Sequence, residues 1–262
     1  MNDRSLGYIA ALLRLNVRAA RAQAAETVTA AAMMFGNNVI VFSIWFIYFS
    51  KFSSLGGWQL TDMATMMGVI AWAFGVTVVL TGGVRDIAKT VVDGKLDIYL
   101  GRPRHPLPAL LLSKSIASGI GDVLSALVFW IVVAKVTPLE LVLLIALAST
   151  ASVIFSATIV ITQCIVFWFP RAHSLCEDLF NMMMMIMFYP QHPYAAFIRI
   201  LLMTVFPTAL IALLPVEAVR EGSIGKATAV ILGAAVYAWL AKWVFDRGLR
   251  SYASGNRMLE LR

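Results

Sequence analysis

Of the 262 residues, 60% are hydrophobic and only 13% charged, with mean hydropathy +0.83 and formal net charge +7. A soluble domain carries about twice that share of charge, and here the apolar residues fall in long uncharged runs, which excludes a water-soluble globule. The basic residues flank those runs instead of forming a patch with interleaved aromatics, which argues against nucleic acid as a partner.

Backbone groups in hydrocarbon must pair internally, and the runs are continuous instead of alternating, so helices and not barrel strands are expected. The length suits a single transmembrane domain, residues 1–262. Residues 1–26 are not expected to be a secretory signal peptide, because arginines interrupt any apolar core. On a helix, Leu6, Ile9, Leu13 and Val17 share one side, with Arg4, Arg14, Arg18 and Arg21 on the other. That pattern suits an interfacial helix with arginines toward lipid phosphate, a plain lead-in to the first span being the alternative.

The first charge-free stretch, Thr27 to Ser50, has the length a bilayer requires, with Trp45 and Tyr48 near its end. A turn at Gly56 and Gly57 precedes a second span from Met63 to Gly83. A basic loop follows at 84–106, ending in Pro103 and Pro106, which disfavour continuous helix. The third span is expected over Leu107–Ala134, and Pro138 with Glu140 makes a tight return into the fourth, Leu141–Phe169. A fifth span, Leu179 to Tyr189, is short unless it begins near Ala172. Residues 197–215, interrupted by Pro207 and closed by Pro215, read as a re-entrant helical hairpin. Such broken backbone is tolerated at membrane depth only against protein or a wet cavity. The last span is Ala227–Phe245, before a basic tail. With six spans, most Lys and Arg residues share the side holding both termini, which are therefore expected to be cytoplasmic.

Enzyme signatures are missing. The three histidines lie in different loops, and neither H-E-x-x-H nor G-x-S-x-G occurs. Cys164 and Cys176 lack metal-type spacing and read as packing residues. The stretch GSIGKAT at 222–228 fails as a phosphate loop: Arg220 stands at the first glycine position and Ala227 at the Ser/Thr position. No catalytic residue, metal site or bound cofactor is expected in this chain, and uphill transport would draw on a gradient or a partner.

The segment 82–114 points to the partner. Arg85 to Val92 reads as a short amphipathic helix, with Ile87, Val91 and Val92 against Asp86, Lys89 and Asp93; Asp93-Gly94 marks a turn, and Leu96, Ile98 and Leu100 recur before Arg102-Pro103. Such a ridge suits docking into a partner's groove, an ordinary interfacial loop helix being the alternative. In Asp93, Gly94, Lys95, Leu96, Asp97, Leu100, Arg102 and Pro103 the loop resembles the coupling helix of membrane subunits of type-2 ABC exporters. The likeness extends over the chain: an N-terminal amphipathic elbow helix, six transmembrane helices, and a re-entrant hairpin before the last. The segment from Tyr189 to Val219 and the tail look like the short permeases of the bacterial viologen-exporter type.

The resemblance implies a permease subunit in the bacterial inner membrane that drives efflux of a small amphiphilic or cationic compound. It implies an ABC ATPase subunit holding ATP and Mg, and a second permease, a copy or, as is common in this subgroup, a related chain. A stand-alone gradient-driven carrier and a non-transport assembly protein are the competing readings.

Substrate contacts are sought among residues that a span should not contain. Asp122 within the third span costs about 2.5–3.5 kcal/mol on insertion scales and should face a bundle interior or water. It reads as a counter-charge for a cationic substrate or as a partner for a hydroxyl or basic group. The small residues around it (Ser118, Gly119, Gly121, Ser125) also suit close helix packing. Of the methionine run, Met183, Met184 and Met187 are candidate lining residues, since methionine suits promiscuous apolar surfaces. Glu177 and Asp178 are read as caps of the fifth helix, attraction of cations at its cytoplasmic mouth being the alternative.

Overall fold

The computed structural model describes residues 3–101, 103–188 and 206–252. Among these every element is helical, apart from an isolated bridge between Leu55 and Trp58. Helix α1, Asp3–Ala22, carries the arginine-rich amphipathic pattern and breaks at Gln23 into α2, Ala24–Lys51. Gly56 and Gly57, both at positive φ, turn the chain into α3, Leu60–Thr81. A 3₁₀ turn, Gly82–Asp86, leads to α4, Ile87–Val92, and then to α5, Asp97–Leu100.

The third expected span is broken. Residues Pro106–Leu111 form a separate short helix, α6, and the membrane-type helix α7 starts only at Ser118 and runs to Val128. Between them the chain passes over the end of α3, where the amide of Ile116 donates to the Val78 carbonyl at 2.9 Å. Side chains at Gly82 and Gly83 would collide with the backbone of Lys114 and Leu110, so these two glycines open the space for the crossing. A π-helical turn, Phe129–Val133, ends this rod.

Helix α8, Pro138–Gln163, begins as the sequence suggests. Thr137 and Glu140 form a capping box, the Thr137 amide donating to Glu140 Oε2 at 2.7 Å, with Pro138 at the first position. A 3₁₀ extension, Cys164–Phe167, follows. Helix α9, His173–Met187, starts six residues before Leu179, so Glu177 and Asp178 lie inside it and not at its cap. After a π-turn at Ala209–Leu213 come α10, Leu214–Arg220, and α11, Ile224–Ser251. Residues 197–205 of the hairpin expected at 197–215 lie outside the described residues. Pro207 is buried in a turn, and Pro215 is buried at the start of α10.

Among the described residues four helices are long and apolar enough to cross a membrane: Ala24–Lys51, Leu60–Val92, Pro138–Phe167 and Ile224–Ser251; Ser118–Val133 is a shorter apolar rod. Helices α3 and α8 form the centre, with α7 packed on α3 and α11 on α8. Small residues allow close approach: Trp130, fully buried, fills the space beside Gly68 and donates through Nε1 to the Thr65 carbonyl at 3.1 Å. Helices α2 and α11 bury one face only, leaving Ile40, Ile44, Ile47, Leu232, Val236 and Trp239 exposed. In a bilayer such faces meet lipid tails or another subunit, at no hydrophobic cost.

Candidate functional site

Two groups of residues stand out, one at an end of the bundle and one inside it. The first is the 82–105 segment. Its apolar side faces inward: Ile87, Ala88, Val91 and Leu96 are buried, whereas Val92, Ile98 and Leu100 are exposed. The expected ridge is thus split, with Leu96 serving the core, and Ile98 (64% exposed) with Leu100 (40%) facing out. The division follows from the turn at Asp93-Gly94. Gly94 takes φ +71°, a left-handed conformation that costs glycine little, and reverses the chain between α4 and α5. Asp93, Lys95 and Asp97 flank that turn. The Lys95 ammonium, 2.9 Å away and hydrogen-bonded, holds the Asp93 carboxyl below the usual carboxylate range. Pro103 is exposed, and Arg102 lies outside the described residues.

The segment is tied to nearly every other part of that end. Buried Gln163, the last residue of α8, accepts from the Ala88 amide at 3.0 Å. Arg85 reaches Glu177 of α9 at 3.6 Å and lies over the Phe180 ring at 4.5 Å. Asp86 pairs with Lys114 at 2.5 Å, ahead of α7. His105 meets Asp246 of α11 at 2.7 Å, and Lys242 meets the same carboxylate at 2.5 Å. Helix α1 joins through Asn16, whose amide donates to the Leu112 carbonyl at 3.1 Å, and through Tyr8, under the Arg104 guanidinium. Exposed ion pairs of this sort contribute about 0–1 kcal/mol each, so their role is register more than stability.

The buried Gln163 contact is the costly one. Gln163→Leu is expected to strand the Ala88 amide and destabilise the protein by about 1–3 kcal/mol, read as a lower melting midpoint in detergent. An unchanged midpoint would show that water can satisfy that amide. Sequence reasoning missed Gln163; an amide inside the charge-free fourth span was the available signal.

The second group surrounds Asp122. The side chain is buried, and Asn38 of α2 donates through Nδ2 to Asp122 Oδ1 at 2.7 Å and to Ser125 Oγ at 2.8 Å. Ser125 Oγ in turn donates to the Asp122 backbone carbonyl at 2.8 Å. A cavity of about 140 Å³ opens beside this cluster, lined by residues of α2, α3, α7, the π-turn and α9, among them Asn38, Phe74, Asp122, Phe129 and Met184. Met184 therefore shares a cavity with Asp122, whereas Met183 and Met187 pack in the apolar core. Asn38, missed in the sequence, was visible as one of two asparagines inside the charge-free first span.

The cysteines are buried, Cys176 Sγ donating to the Thr162 carbonyl at 3.2 Å. Among the described residues no group of three His, Cys, Asp or Glu side chains could hold a metal ion. A family model described as ABC-2 family transporter protein matches residues 35–255. No curated protein and no solved structure matches the chain.

Proposed function

The chain belongs to the ABC-2 transporter family, a family of multi-pass membrane permeases that work with an ABC ATPase. From that premise we propose that it is the permease subunit of an ATP-driven exporter for a small amphiphilic or cationic compound. In this reading it lies in a bacterial inner membrane with both termini cytoplasmic, as a viologen-exporter-like short permease. ATP and Mg sit on the separate ATPase subunit, and a second permease, a copy or a related chain, completes the transporter. The topology is six spans, with α1 as elbow helix and residues 197–215 as a re-entrant hairpin.

One observation carries the proposal: the 82–105 segment exposes Ile98 and Leu100 while its other side is anchored in α7's lead-in, α8, α9 and α11. Such a segment suits a lever. An ATPase gripping the exposed residues would move the buried side with them, and the anchors would carry that motion into four helices at once. Nucleotide shifts this equilibrium only by its differential affinity for the two states. Ile87, Ala88 and Val91, which pack in the core, would transmit the displacement because packed interiors yield little.

The test is purification of the chain from its native cells in mild detergent, with mass spectrometry of what accompanies it. An ABC ATPase is expected. Its absence, under conditions where other ABC complexes stay intact, would favour a stand-alone carrier.

A further inference from the structure

A carboxylate oxygen is buried inside the bundle. Asp122 is 3% exposed, and its Oδ2 has no hydrogen-bond partner among the described residues, while Asn38 occupies Oδ1 at 2.7 Å. Both residues line the same cavity, whose walls are otherwise chiefly aromatic and thioether side chains, with no lysine, arginine or histidine among the described residues. A buried polar atom left over in an otherwise satisfied cluster asks for a ligand. The surroundings specify its chemistry. A carboxylate oxygen offers negative charge, and the rings of Phe74, Phe129 and Phe188, which line the cavity, carry the quadrupole that attracts weakly hydrated cations. Among the described residues no basic side chain lines the cavity to neutralise an anion.

We propose that this cavity binds the head group of a compact organic ammonium ion. Asp122 supplies the counter-charge, Asn38 is the positioning residue that fixes the carboxylate, and the phenylalanines form the wall. The size agrees: at about 140 Å³ the cavity is smaller than the ~300–1,000 Å³ of sites for drug-sized ligands, so it takes a head group and leaves a longer tail outside. The site is built from one chain, so each permease carries its own. Phe129 opens the π-turn, a distortion common at functional sites. The inference rests on the transport reading in that the ammonium compound is the cargo.

The experiment compares choline with 3,3-dimethylbutan-1-ol, its uncharged analogue of equal shape, on the intact permease–ATPase complex in nanodiscs. Binding of radiolabelled choline, competed by either compound, gives the preference for charge. The wild type is expected to bind one choline per permease chain and to prefer it about ten-fold or more. Asp122→Asn should abolish the preference; Asn38→Ala should reduce it, and Asn38→Gln should restore part of it. Equal affinity for the two compounds, or no saturable choline binding, overturns the proposal, and both are read on the wild type even if a variant does not fold. A folded Asp122→Asn variant that keeps the preference overturns it as well. If no ATPase accompanies the chain, the ATP-driven exporter reading fails; if the complex is intact but indifferent to charge, the cation site alone fails.

Discussion

Replacing both Ile98 and Leu100 with aspartate is expected to release the ATPase from the permease and abolish transport while leaving the permease folded. Both side chains are exposed in the isolated chain, so the change removes no core packing. Burial of such a side chain at an interface contributes about 1.5–3 kcal/mol, and an unpaired carboxylate in the same groove costs more. The pair together should weaken the complex by a hundred-fold or more, at about 1.4 kcal/mol per ten-fold. Leu96→Asp is the informative contrast. Leu96 is fully buried, so a charge there should unfold the segment and lower yield of monodisperse protein. Co-purification and size-exclusion profiles separate the two effects. An ATPase that stays bound to the Ile98/Leu100 variant would mean that the partner grips another surface.

The second large effect concerns packing. Gly121→Val is expected to destabilise the bundle by about 3 kcal/mol or more, at the upper end of overpacking penalties. A Cβ at Gly121 would run into the carbonyl of Ala31 and lie 2.9 Å from the Phe35 amide nitrogen. These are backbone atoms of α2, so no rotamer change relieves the contact; α2 and α7 must separate. That separation would also pull Asn38 from Asp122, leaving a second buried carboxylate oxygen unpaired. Gly36→Ala on α2 is the control: nothing lies within 4 Å of the added carbon, and alanine in place of a helical glycine should be neutral or stabilising by up to about 1 kcal/mol. Thermal unfolding in detergent reads both. A Gly121→Val protein that melts like the wild type would show that α2 is free to shift.

Much of the fold was legible because the bilayer imposes a simple rule. A charge-free run of bilayer length must be helical, and Thr27–Ser50, Met63–Gly83, Leu141–Phe169 and Ala227–Phe245 all lie within or largely within long apolar helices. Local chemistry was readable too, as at the Thr137/Glu140 capping box and the Gly94 turn. The third span was misjudged. Leu107 to Lys114 is apolar enough to continue the helix, but this segment must cross the end of α3, and the Gly82-Gly83 surface that allows the crossing lies about 30 residues away in sequence. The start of α9 was left open between Leu179 and Ala172, because Glu177 and Asp178 look like a boundary; the helix begins at His173, with Glu177 met by Arg85 from another part of the chain and Asp178 exposed.

The site divides in the same way. Composition and the resemblance of the loop residues Asp93 to Pro103 pointed to the class of molecule, an ABC-2 permease. Asp122 stood out as costly because hydration is lost wherever a span places it. Only the tertiary structure decided which of Leu96, Ile98 and Leu100 face outward, that Met184 and not Met183 or Met187 shares a cavity with Asp122, and that Asn38 holds one oxygen while the other stays free. Hydrophobicity and propensity act within a few residues and can be read along the chain. Burial and hydrogen-bond completeness depend on helices that meet across 80 or more residues, as Asn38 and Asp122 do, and that meeting is set by packing.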